Sequence, residues 1–220
     1  MDIKIYHGSE HIVRKPVFGS GNAYNDFGLG FYCSESARSA AAWAVGRDRN
    51  GFVSAYTISA DRLRVINLCS SRYTPLHWLS VLFNFREFDF SSTSAYRARE
   101  YINKNFSVDY QGSDCIIGYR ADDICFKIAQ DFIDGKLSYQ SMRYYLTGGD
   151  SNRQFVLKSN RAFESISFAG YEPALSSIYY TEAYAKEISS LRSLKPSTNK
   201  KDLFIDRMIS EEISSYDTRL

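Results

Sequence analysis

Four short blocks carry the residues of this chain whose types and spacing suit chemistry. They are Tyr6-His7-Gly8-Ser9, Asn25-Asp26-Phe27-Gly28-Leu29-Gly30-Phe31-Tyr32, Gly118-Tyr119-Arg120-Ala121-Asp122-Asp123 and Gln154-Phe155-Val156-Leu157-Lys158-Ser159. In the first, His7 offers a ring nitrogen to a hydroxyl, Gly8 lets backbone approach a flat ring because it lacks a Cβ, and Ser9 adds a hydroxyl. A plainer role for His7 is to end a strand and cap a turn. In the second, Tyr32 offers an aromatic face for stacking, although one of 17 tyrosines can equally be core. Asn25 and Asp26 sit in a loop placed to cover a ligand, and are also ordinary turn formers. In the third, the planar fork of Arg120 suits pyrophosphate oxygens or a neighbouring aspartate. Asp122 and Asp123 are spare carboxylates, yet acids ahead of an apolar-periodic run also cap helices; one reads as the cap and the other stays open.

Several other chemistries are excluded. Gly28-Leu29-Gly30 is no dinucleotide fingerprint, since Cys33 stands where the third glycine belongs. No P-loop lysine follows a glycine run, no G-x-S-x-G elbow exists, and His7, His11 and His77 have no zinc-enzyme spacing, so no metal is expected.

The elements that must position the blocks follow from pattern. Ile3 to Tyr6 reads as a first strand, the glycines between 19 and 30 as a long loop, and Phe31 to Cys33 as a short strand. Ser34 reads as the N-cap of an alanine-rich helix from Glu35 to Val45. Strands are expected at Phe52–Ile58, Arg64–Leu68, Asp114–Gly118, Arg153–Ser159 and Glu164–Phe168. Helices are expected after Thr74-Pro75, over Ala95–Asn105, from Asp122-Asp123 to Phe132, and from Ser138. Residues 173–194 are helical in period. Residues 195–201 read as a polar linker, and Phe204, Ile205, Met208, Ile209 and Ile213 as the stripe of a last helix.

Composition bounds the rest. The chain has 220 residues, 15% of them aromatic, which excludes a solvated coil; its charge of +2 is too small for binding nucleic acid through bulk charge alone. No apolar run approaches the ~20 residues of a membrane span. The opening Met1-Asp2-Ile3-Lys4 shows no signal peptide, and Cys33, Cys69, Cys115 and Cys125 form no C-x-x-C pair. A cytoplasmic α+β protein with cysteines as small buried hydrophobes is expected.

The four blocks, in this order, resemble the ADP-ribosyltransferase superfamily, in its H-Y-E branch and within it a bacterial domain family of unassigned function. The resemblance covers roughly residues 3–170. It implies a split β-sheet core with flanking helices over residues 1–171, leaving 172–220 as a helical extension. It implies NAD as substrate and transfer of ADP-ribose to a macromolecular acceptor; nucleic acid is preferred to protein because a nucleobase nitrogen needs less base assistance than a protein hydroxyl. His7 would hold the adenosine ribose, Gly8 the nicotinamide amide, and Tyr32 would stack on nicotinamide. Tyr6, Ser9, Asn25, Asp26, Phe27, Gly28, Gly30, Phe31 and Arg120 would complete the NAD site. Gln154 stands where the family has the glutamate that binds the nicotinamide ribose, and a neutral amide cannot act as a base. The missing charge, about 2–4 kcal/mol for one well-aimed group, must come from elsewhere or be absent, with Asp122 and Asp123 as candidates. The alternatives are a non-catalytic NAD or ADP-ribose reader and an NAD glycohydrolase. The resemblance further implies a toxin or phage-defence effector; the C-terminal stripe would pack on its own domain or, alternatively, dock a neutralising partner protein.

Overall fold

A computed structural model describes residues 2–147, 153–193, 199 and 201–220. The fold is α+β, with two antiparallel-rich sheets and helices around them. The first sheet places β3 (Gly51–Ser59) between β1 (Asp2–Ser9) and β7 (Ile166–Ala174). The second runs β2 (Phe31–Cys33), β6 (Arg153–Leu157), β5 (Cys115–Tyr119), β4 (Val65–Asn67). Only β4 and β5 are parallel, and the crossover that a parallel pair requires carries α2 (Pro75–Leu82) and α3 (Thr93–Asn105). The sheets join at one residue pair, Tyr6 with Ser34.

Side-chain alternation explains the layers. Ile5, Cys33, Ile58, Cys115, Ile117, Phe155 and Leu157 come from both sheets and pack between them. Ile116 and Val156, on the other face of the second sheet, meet α2, α3, α4 (Asp123–Ile133) and α5 (Tyr139–Thr147) through Leu79, Ile102, Ile128 and Met142. A smaller cluster lies under α1 (Ala37–Ala44), where Ala40, Ala41 and Ala44 meet Val53 and Ala174. Alanines let this helix sit close on β1 and β3.

Helix starts follow local chemistry. Thr74 and Pro75 open α2 as expected, and the Oγ of Ser138 accepts from Ser141 N at 3.2 Å at the start of α5. The first helix begins two residues later than its sequence suggests. Ser34 is held in the ladder by Tyr6, so Ser36 becomes the N-cap and Glu35 falls outside the first turn. Ser159, expected to end a strand, instead caps a short helix, α6 (Asn160–Glu164).

The C-terminal region is not a separate appendage. The expected boundary at residue 171 falls inside β7, which stays paired with β3 through Ala174. The long α7 (Ser176–Ser193) follows, with Tyr179 and Tyr180 packed against the cluster under α1. The expected linker lies largely outside the described residues. The last helix, α8 (Ile205–Ser210), puts Ile205 and Met208 into the main core together with Leu203 and Ile213. The apolar stripe is therefore covered by its own domain, and it offers no open docking face. No described helix is long and apolar enough to cross a membrane.

Because Met208 is fully buried, Met208→Ala is expected to cost about 2–5 kcal/mol, as core truncations do. Urea denaturation checks this, and an unchanged midpoint would place α8 outside the core.

Candidate functional site

The Tyr6–Ser34 pair sets β1 beside β2 and so brings the first two blocks together. His7 Nδ1 lies 2.7 Å from the backbone oxygen of Tyr32. A carbonyl only accepts, so Nδ1 carries the proton and, in the neutral ring, Nε2 is left as an acceptor. The imidazole packs on Phe31 with ring centroids 4.3 Å apart. Burial pushes its pKa below 6.5, opposed more weakly by the bond to Tyr32.

Tyr32 leaves β2 on the opposite face from Phe31 and Cys33. His7 and Tyr32 thus meet through a carbonyl, not through two facing rings. The Tyr32 hydroxyl accepts from Phe27 N at 3.0 Å and donates to Gly28 O at 2.6 Å. Burial raises its pKa, so this phenol stays protonated and serves to hold the glycine loop. That loop turns where Gly28 N donates to Asn25 O at 2.8 Å, with Gly28 at φ +69°. Lys158 Nζ donates to the carbonyls of Phe27 and Leu29, and burial pulls its pKa down to about 8.

Gln154 shares the face of Tyr32, since Tyr32 pairs with Val156 two residues along β6. It is 4% exposed and lies opposite Gly118, against which the Phe27 ring packs. Its Nε2 donates to Asp26 Oδ2 at 2.8 Å and to Tyr119 O at 3.2 Å. Asp26, 6% exposed, also takes Arg86 on Oδ1 at 2.6 Å and Ala121 N on Oδ2 at 2.8 Å. All four blocks therefore meet in one hydrogen-bonded group.

Other expected residues have different surroundings. A Cβ on Gly8 would lie 1.8 Å from Ala40 O, so this glycine is required where α1 crosses β1. Tyr6 packs in the same cluster, and Ser9 Oγ donates within its own turn to His11 O at 2.7 Å. A Cβ on Gly30 would meet Val156 and Leu157 O. Asp122 caps α4 by accepting from Cys125 N, and Asp123 is an exposed first-turn acid. Of the acids the sequence put forward to replace the family glutamate, neither bonds to Gln154; the carboxylate that does is Asp26.

Arg120 is half-buried, with its guanidinium carbon 5.0 Å from the centroid of the Trp43 ring. Sequence reasoning missed Trp43, whose signal is a lone large aromatic in an alanine-rich helix. It also missed Arg86, a cation set among Phe83, Phe85, Phe88 and Phe90, where burial demands an acid. Near the edge of the site, Arg153 lies 3.4 Å from Glu35 and has a buried Nε with no hydrogen-bond partner. None of the four cysteines is in a disulfide; Cys33, Cys115 and Cys125 are buried and Cys69 partly so.

Residues 3–168 match the family described as protein of unknown function (DUF3990), and the chain belongs to that family. No curated protein and no solved structure matches it.

With the folded pKa of His7 below 6.5, the unfolded chain binds the extra proton between the two values. The stability tied to neutral His7 is whole above pH 6.5 and is lost as pH falls from there toward the folded value. Proton NMR should find His7 titrating below 6.5, and His7→Gln should flatten part of the fall in melting temperature between pH 7 and 5. His77, whose pKa burial also lowers, accounts for a separate share.

Proposed function

We propose that this chain is an NAD-dependent mono-ADP-ribosyltransferase acting in the cytoplasm. The observation that carries the reading is the meeting of the four resemblance blocks in one hydrogen-bonded group, with two acceptors left over. Among the described residues, neither His7 Nε2 nor Gln154 Oε1 has a partner. Such acceptors suit the hydroxyls of the two riboses of NAD.

In the proposed reaction the bond between ribose C1′ and the nicotinamide nitrogen breaks, and its electron pair leaves with nicotinamide. The acceptor's lone pair then closes on C1′ and the acceptor loses a proton. The protein's part is to orient the dinucleotide and to favour the cationic ribose with fixed dipoles. His7 and Gln154 would each take a ribose hydroxyl. Trp43 and Arg120 would form a wall with an aromatic face and a cation for the phosphates. Tyr32 would keep the loop closed over Gln154 through its hydroxyl.

Asp26, the carboxylate that bonds Gln154, is held by Arg86, Ala121 N and Gln154 and is not placed to act as a base. That favours an acceptor needing little deprotonation, such as a nucleobase nitrogen, over a protein hydroxyl. The same engagement favours the second reading, a module that binds NAD or ADP-ribose without turnover.

Incubating the protein with NAD labelled in its adenylate half, with RNA, DNA or protein, separates these readings. The expected result is nicotinamide release and label in nucleic acid, both reduced at least about tenfold in His7→Ala and Gln154→Ala. Binding without nicotinamide release would identify a reader, and free ADP-ribose as the sole product a glycohydrolase. Absence of both binding and release would reject the proposal.

A further inference from the structure

We infer that Asp26 is a positioning residue: it holds Gln154 in one orientation, with the amide nitrogen inward and Oε1 turned to the substrate. This rests on the NAD reading for its consequence, but not for its geometry. The two groups that meet the Gln154 amide nitrogen, the Asp26 carboxylate at 2.8 Å and the Tyr119 carbonyl at 3.2 Å, are both pure acceptors. Turning the amide over would set its oxygen against both of them. Gln154 therefore has one stable orientation, and its oxygen faces away from Asp26.

Asp26 can do this because it is itself fixed. Its Oδ1 receives Arg86 at 2.6 Å, and its Oδ2 receives Ala121 N at 2.8 Å besides Gln154. Arg86 is held in turn over the Phe126 ring, 5.1 Å from its centroid. A buried carboxylate with three donors has no freedom to swing, and nor has the amide it holds.

This arrangement makes glutamine the fitting residue at position 154. A glutamate there would bring a second carboxylate to hydrogen-bond distance of Asp26, where Arg86 is the cation that pairs with Asp26 among the described residues. The superfamily's glutamate is therefore expected to impair this chain, unless residue 26 becomes an amide and can donate to it.

The test uses the full chain, with readouts that a merely structural role would not move. In ¹⁵N spectra, the side-chain amide pair of Gln154, assigned by its loss in Gln154→Leu, is expected to be slow to exchange. It should shift and lose protection in Asp26→Asn. Should that variant fail to fold, Arg86→Gln, which strips Asp26 of its counter-ion, is expected to move the same resonances. In NAD turnover, Gln154→Glu should lower kcat by about tenfold or more with KM changed less than about threefold. Asp26→Asn combined with Gln154→Glu should recover part of that loss. An unmoved Gln154 amide pair in a folded variant, or Gln154→Glu turning over NAD at the parent's rate or faster, would overturn the inference. If the parent chain releases no nicotinamide, the transferase reading fails, and the amide resonances still decide the role of Asp26.

Discussion

Two backbone hydrogen bonds, Tyr6 N to Ser34 O and Ser34 N to Tyr6 O, each 2.8 Å, join the first sheet to the second. Without this pair β1 and β2 would belong to unconnected ladders, and His7 would have no fixed relation to Tyr32. The pair also sets where α1 starts, because Ser34 in the ladder delays the helix to Ser36. That in turn brings α1 across β1 at Gly8, where Ala40 O leaves no space for a Cβ. One glycine therefore serves helix packing whatever it does for a ligand, and its presence alone is no sign of a binding site.

The second constraint is the buried charge at Asp26. A carboxylate at 6% exposure is costly to bury unless its oxygens are hydrogen-bonded. Its donors come from three segments: the loop after α2 through Arg86, the turn after β5 through Ala121, and β6 through Gln154. The carboxylate thus pulls the glycine loop against the second sheet, and Phe27 is carried with it onto Gly118. Lys158 closes the same loop from the other side by donating to Phe27 O and Leu29 O. Buried ionic groups of this kind add little net stability, but they penalise any arrangement in which a partner is missing. They specify one loop conformation.

Much of the frame was legible because its signals are local. The Thr74-Pro75 start of α2, the apolar run of β5 and the short strand Phe31–Cys33 each follow from neighbours within a few residues. What failed was decided at longer range. Ser34 lost its capping role to a ladder partner in β1. The strand at Glu164–Phe168 begins at Ile166 and runs on to Ala174 because β3 offers it a partner. The stripe on α8 was legible as apolar, with packing on its own domain among its readings; which residues cover it was not legible. In the site, His7, Tyr32 and Gln154 were picked out by resemblance and do fall in one hydrogen-bonded group. The faces they point to could not be read from the sequence, because alternation along β2 separates Tyr32 from the Phe31 side only once the register is known. Asp26 was singled out merely as a loop residue over a ligand. Its partners at 86, 121 and 154 form no sequence pattern.

Where the charge resides bears on what chemistry the proposed site can support. Two unit charges about 4 Å apart interact by about 4 kcal/mol at an effective dielectric of 20. A carboxylate facing a cationic ribose would supply stabilisation of that order. Here the acid is Asp26, and Arg86 sits 2.6 Å from it with the opposite sign. At the distance of a substrate the two fields largely cancel, and the neutral Gln154 adds only the dipole of its carbonyl. In the proposed reaction the electrostatic share would then come from that oriented dipole and from His7. A fixed dipole is effective in proportion to how well it is held, since a group that must reorient loses its advantage at the moment of reaction. In the proposed reaction, a glutamine at 154 held by Asp26 gives up the field strength a glutamate there would supply and keeps pre-organisation, which suits an acceptor that supplies its own nucleophilicity.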